Sequence, residues 1–177
     1  MNTRLVGSEM CIRDRVSGYN CKLLPVIKGR NEEDILQLYN EGFREFGENR
    51  LNELSDHARF LPEARFHFIA PLQSRKIREI MNSCDFIHTL QRPKEILAIN
   101  ECYENQDIFV QINIDDDPNK SGININEVDE FFDNFEGLKY FPVGIMCIPS
   151  FDADSKSSFN KMSKINEKLK KNFNNYK

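Results

Sequence analysis

The sequence has no apolar run approaching the roughly 20 residues that a membrane-spanning helix needs. Its first residues lack the apolar centre of a secretory leader. An excess of basic charge is missing too: 24 Lys and Arg stand against 28 Asp and Glu, for a net charge of -4, which argues against a nucleic-acid footprint. The five cysteines, Cys11, Cys21, Cys84, Cys102 and Cys147, are odd in number and form no C-x-x-C pair. They are read as free thiols in a reducing compartment rather than as a disulfide framework or zinc site. His57, His67 and His88 show neither H-x-x-x-H nor H-E-x-x-H spacing, so no metal is expected. No G-x-G-x-x-G, G-x-x-x-x-G-K-[ST] or G-x-S-x-G occurs, which removes the common nucleotide and hydrolase signatures. The acidic stretch "DDDPNKSG" at 115–122 fails as a calcium loop. Aligned from Asp115, its sixth position is Lys120, where glycine is needed, and its twelfth is Asn126, where a bidentate glutamate is needed. These absences predict a soluble, cytoplasmic protein with no membrane or nucleic-acid partner.

What is present is a chain of 177 residues, 40% hydrophobic and 29% charged, enough for one folded core. From residue 22 onward a short apolar strand is followed by an amphipathic helix, and the unit repeats. Strands are predicted at 22–28, 44–48, 65–70, 85–90, 107–114 and 140–147. Helices are predicted at 31–43, 49–60, 73–83, 93–103, 126–136 and 155–173. Asn31 suits an N-cap and Pro93 a first helical position. The last helix is expected to turn Phe159, Met162, Ile165, Leu169 and Phe173 inward. Strands that alternate with helices imply a parallel sheet with right-handed crossovers, either an open doubly wound sheet or a (β/α)8 barrel. Six units satisfy the first and leave the second two short. Residues 1–20 sustain no helical period and are read as an irregular segment, separate from a domain over 21–177.

In either architecture ligands gather at the C-terminal ends of the strands. "KLLPVIKGR" at 22–30 puts Lys28 there, and strand alternation puts Leu24, Val26 and Lys28 on one face. An amine held at a barrel mouth loses hydration, which favours the neutral form that attacks an aldehyde. Against this, a strand-end lysine is usually solvated. "FGEN" at 46–49 reads as ordinary turn chemistry on spacing alone. His67 in "RFHFIA" reads as a hydrogen-bonded core histidine, and "FPVGIMCIPS" at 141–150 as a core strand.

Together these pieces resemble the pyridoxal phosphate homeostasis protein family, which is related to the N-terminal barrel of alanine racemase. Its V-S-K lysine corresponds to "VIK", its F-G-E-N to "FGEN" at 46–49, and its H-F-I-G-x-L-Q-x-N-K to "HFIAPLQSRK" at 67–76. Its V-N-(x)-K-x-G segment corresponds to "VQINIDDDPNKSGI" at 110–123, and its G-L-M-x-I-P to "GIMCIP" at 144–149. Five motifs in one order and spacing are far more specific than any one of them.

The resemblance implies an incomplete (β/α)8 barrel of the alanine racemase N-terminal type, with about six units. It implies pyridoxal 5'-phosphate as cofactor, held as an aldimine on Lys28, with Asn49, His67 and Met146 lining the same mouth. It implies intracellular cofactor homeostasis without robust catalysis, no catalytic residue, pyridoxal-phosphate-accepting apo-enzymes as partners, and a monomer. The alternative is a racemase-like enzyme, which needs a second acid–base group opposite the lysine. A third is an unrelated open α/β binding module. The chain departs from the family pattern at Ile27, Ala70 and Arg75, and "LVGSEMCIRDR" is unlike the family's first helix, so residues 1–20 are expected to be non-native. Family segments of the S-M-G-M-S and G-S-T/V-R-I-G kind, which carry phosphate-binding amides and an arginine, do not occur. The expectation is weaker cofactor binding and lower stability than in a relative that has them.

Overall fold

A computed structural model describes Ile12, Val16 and residues 18–176. Of the segment expected to be irregular, Ile12 and Val16 are helical and 18–20 form a turn; the rest of 1–17 lies outside the described residues. The elements that follow are α1 (Glu32–Asn40), β1 (Glu45–Glu48), α2 (Leu51–Phe60), β2 (Arg65–Phe68), α3 (Ile77–Met81) and β3 (Phe86–Leu90). After them come α4 (Pro93–Cys102), β4 (Asp107–Asn113), β5 (Ile123–Asn124), α5 (Val128–Asp133), β6 (Gly144–Met146) and α6 (Ser155–Asn172).

All pairings are parallel. The sheet runs β1-β2-β3-β4, with β6 continuing from β4 and the short β5 pairing at the C-terminal end of β4. The extended segment before α1 flanks β1 through one bridge, Val26 to Gly47. The result is a six-membered parallel arc with helices on its outer face, the partial barrel that the family resemblance implies. β5 was not foreseen, because two residues are too short to show a period.

The predicted strand at 22–28 is therefore reduced to a single bridge, and the reason is chemical. Gly47 donates to the Pro25 carbonyl at 2.8 Å and accepts from the Ile27 amide at 2.9 Å. The next rung toward the N-terminus needs an N–H that Pro25 lacks. The next rung toward the C-terminus needs the Asn49 and Gly29 amides, and these donate to the carboxylates of Glu48 and Glu53 instead.

Local signals explain the helices. Asn31 accepts from the Asp34 amide at 2.9 Å, and Glu32, Glu33 and Asp34 complement the positive end of α1. Asp154 caps α6 through the Lys156 amide. Buried Glu95 accepts from the Gln91 and Arg92 amides ahead of Pro93. The predicted helices at 73–83 and 126–136 are shorter than expected; each begins with a 3-10 turn, Ser74–Lys76 and Ile125–Glu127.

The core lies between the outer face of the arc and the helices. Ile27, Phe46, Phe66, Ile87, Ile108 and Val110 pack there against Ile35, Leu54, Ile80 and Ile99, all at most 2% exposed. A second cluster gathers Phe132, Phe135, Phe141, Phe173 and Tyr176 beneath α6. The inward stripe expected of α6 is corrected at Phe159, which is exposed while Met162 and Leu169 are buried. The buried row is instead Ser158, Met162 and Leu169, with the Ser158 hydroxyl turned inward to donate to Asp115 at 2.7 Å. Among the described residues no helix is long and apolar enough to cross a membrane.

Candidate functional site

The concave face of the arc can be traced strand by strand. A Cβ added to Gly47 would meet Val26 Cγ2 at 3.3 Å, Leu24 Cδ2 at 3.4 Å and Ile69 Cδ1 at 3.6 Å, so these share one side. His67 lies opposite Gly47 in register, and its ring stacks on Phe86 with centroids 3.8 Å apart. His88 follows, stacked on Phe109 at 4.7 Å. The Phe109 ring in turn lies over Gly144, where a Cβ would come within 2.8 Å of it. Strand order thus becomes a band of side chains, Val26, His67, Phe86, His88 and Phe109, across the floor of the concavity.

The two histidines touch: His67 Nδ1 lies 2.8 Å from His88 Nε2. His67 Nε2 is buried, has no hydrogen-bond partner, and lies 3.8 Å from Glu45 Oε2. A carboxylate on that side favours a proton on Nε2, which leaves Nδ1 to accept from His88. Burial, with the neighbouring His88 and Arg65 adding to it, depresses the His67 pKa to about 3. Burial depresses His88 to about 4. Both rings are neutral at neutral pH.

One step toward the C-terminal ends lies a second tier. Lys28, Asn49 and Met146 sit two residues beyond Val26, Gly47 and Gly144, and Gln111 pairs with Met146 in register. The structure therefore places three of the sequence-derived candidates in one tier and His67 in the tier beneath. Asn49 Oδ1 and Gln111 Oε1 are buried without partners, and Gln111 Nε2 donates to the Ser121 carbonyl at 3.2 Å. Buried polar atoms without partners cost free energy, and with His67 Nε2 there are three on the concave face, which suits a polar ligand. Lys28 is exposed, contrary to the expected loss of hydration. The segment carrying it is held by one bridge, and Val26 beside it is 43% exposed.

The "FGEN" turn is built by its glutamate. Glu48 is fully buried on the outer face and accepts from the Asn49 and Arg50 amides at 2.7 and 3.1 Å, supplying the acceptor that Arg50 cannot give at the start of α2. Its other oxygen lies 3.4 Å from His57 Nδ1. Burial raises the Glu48 pKa, and the two amides oppose the rise. Glu48→Ala is expected to lower stability by about 2 kcal/mol through the lost cap and the orphaned amides. A urea melt checks this; an unchanged midpoint would contradict the role.

The acidic loop at 115–122 is spent on itself and on the end of β6. Asp115 accepts from the Ser150 amide at 2.8 Å and Asp117 from the Ser150 hydroxyl at 2.9 Å, while Lys120 donates to the Pro149 carbonyl at 2.7 Å. Among the described residues no group of three or more His, Cys, Asp or Glu is placed to hold a metal. A Cβ on Gly122, at φ 122°, would fall on the Asn113 backbone nitrogen, so the chain passes β4 closely there. Sequence reasoning placed Glu48 at a strand end without foreseeing its capping role, and missed His88 and Gln111 as site residues. A polar residue at an inward position of an otherwise apolar strand, as Gln111 is in "DIFVQINI", was the available signal.

Residues 10–175 match the family described as alanine racemase, N-terminal domain. The pyridoxal phosphate homeostasis protein of Pasteurella multocida is 33% identical over 161 residues, 84% of this chain and 69% of that protein. PipY of Synechococcus elongatus, solved without PLP, superposes with a TM-score of 0.85 at 21% identity, over 97% of this chain and 85% of that one. The same protein solved with PLP bound gives a TM-score of 0.75 at 18% identity, over 92% and 82%. At these identities the superpositions establish the fold.

Proposed function

The chain belongs to the pyridoxal phosphate homeostasis protein family, within the alanine racemase N-terminal fold, and on that premise we propose that it binds pyridoxal 5'-phosphate at the concave mouth. The observation that carries the proposal is the strand-end amine of Lys28, set in the same tier as two buried oxygens without partners, Asn49 Oδ1 and Gln111 Oε1. The cofactor supplies, when bound, an aldehyde that condenses with a primary amine with loss of water. Lys28 provides that amine. Asn49 accepts a hydrogen bond at the rim, Met146 offers a polarizable wall, and His67 gives the floor a neutral polar edge.

The role is cofactor homeostasis without robust turnover. Asn49, Gln111 and Met146 have no group that ionises near neutrality, which favours holding a ligand over moving protons on it. In this reading the protein is a cytoplasmic monomer that hands the cofactor to apo-enzymes. The test is an absorbance titration with pyridoxal 5'-phosphate, following the lysine-bound band. Saturation at one equivalent supports the proposal; a signal that rises without saturating, as surface lysines would give, overturns it.

A further inference from the structure

The backbone amides on both sides of Lys28 are hydrogen-bonded, the first to a backbone carbonyl and the second to a side chain. Before it, Ile27 donates to Gly47 at 2.9 Å. After it, the Gly29 amide donates to Glu53 Oε2 at 2.6 Å. Gly29 has φ 69°, so the chain turns sharply at this point, and Arg30 closes the turn by donating to Ile27 at 2.9 Å. The partner oxygen, Glu53 Oε1, is held by Arg50 Nη1 at 2.5 Å. Glu53 therefore takes the rung that the sheet leaves unmade, and it does so from the first turn of α2, an element anchored by buried Leu51 and Leu54.

We propose that Glu53 is a positioning residue for Lys28, fixing the turn at Gly29 so that the amine stays over the concave face. The inference rests on the cofactor reading of Lys28. The alternative is that Glu53 merely complements the positive end of α2, as first-turn acids commonly do, with the Gly29 contact incidental to it. The chemistry on the page favours positioning: the carboxylate faces an amide 24 residues away in sequence, beside the one residue of the segment that has a strand-end amine. The Gly29 amide and the Arg50 guanidinium both hold Glu53 in its ionised form, with its pKa below the ordinary carboxylate value. The contact is thus complete at neutral pH.

The test uses the full chain with Glu53→Ala, Glu53→Gln and Glu53→Asp. The first readout needs no cofactor: hydrogen exchange at the Gly29 amide is expected to speed about tenfold in the Ala variant, corresponding to ~1.4 kcal/mol of lost protection, and to be partly rescued in Gln, which keeps an acceptor oxygen. The second is the borohydride-fixed pyridoxyl label on Lys28, counted against label on all other lysines. That ratio is expected to fall in Ala and Asp and to recover in Gln. If Ala fails to fold, Asp decides, since it keeps the charge and the helix but withdraws the oxygen. Unchanged Gly29 exchange overturns the contact. Faster exchange with an unchanged Lys28 ratio overturns positioning and leaves a structural tie between the turn and α2. No Lys28 label in the parent chain overturns the cofactor reading itself, and the inference with it.

Discussion

Replacing Lys28 by alanine is expected to abolish the saturable lysine-bound absorbance of added pyridoxal 5'-phosphate while shifting stability by less than about 0.5 kcal/mol. The two halves of the result have separate physical grounds. The side chain is exposed and has no hydrogen bond or ion pair among the described residues, so truncating it breaks no polar contact there. The covalent step needs a primary amine on the concave face, and no other lysine among those described lies on the inner tier of a strand at its C-terminal end. Lys28→Arg should behave like the alanine variant, because a guanidinium is charged at all accessible pH and presents no free amine. A saturable band that survives in Lys28→Ala would place the chemistry on another lysine. A large loss of stability would mean that Lys28 has a structural role which its exposure does not show.

Lowering the pH from 7.5 to 5.5 is expected to cost about 2 to 3 kcal/mol of folding stability through His67 and His88. The sign follows from their depressed values. In the unfolded chain each ring takes up a proton as pH falls through 6.5; in the folded chain His67 resists until about 3 and His88 until about 4. Between these limits the unfolded state binds more protons, so stability is full above the unfolded value and is lost as pH falls below it. Each ring contributes about 1.3 kcal/mol over the stated interval. Glu48 acts in the opposite direction, since its raised pKa means that the folded state takes up a proton earlier than the unfolded one. Urea melts across the interval, on the parent and on H67F/H88F, isolate the histidines. The double variant should keep the stacking with Phe86 and Phe109 and lose most of the pH slope. The same slope in both proteins would contradict the buried, neutral pair.

Much of the fold was legible because it depends on periodicity. Alternation of 2 in "RFHFIA" and "DIFVQINI" and of 3.6 in the helices fixed the order of units, and parallel pairing follows from the crossovers. Where prediction failed, side chains had intervened in backbone bonding. The segment at 22–28 looks like any other strand by composition, yet Pro25 withholds one rung and Glu48 and Glu53 capture the amides of another. Phe159 looked apolar at the right spacing, but the inward row of α6 is set by Ser158 bonding to Asp115. The candidate site divides in the same way. Lys28, Asn49, His67 and Met146 were named because motifs carry them. His88 was missed because its role depends on a neighbour on another strand, 21 residues away in sequence. Such contacts across strands leave no periodic trace.

The most direct test of the central claim is to mix the purified chain with pyridoxal 5'-phosphate, reduce with borohydride, and map the modified residue by mass spectrometry. The account predicts a single dominant pyridoxyl label at Lys28. Label scattered over the exposed lysines, with Lys28 no more reactive than the rest, would contradict it.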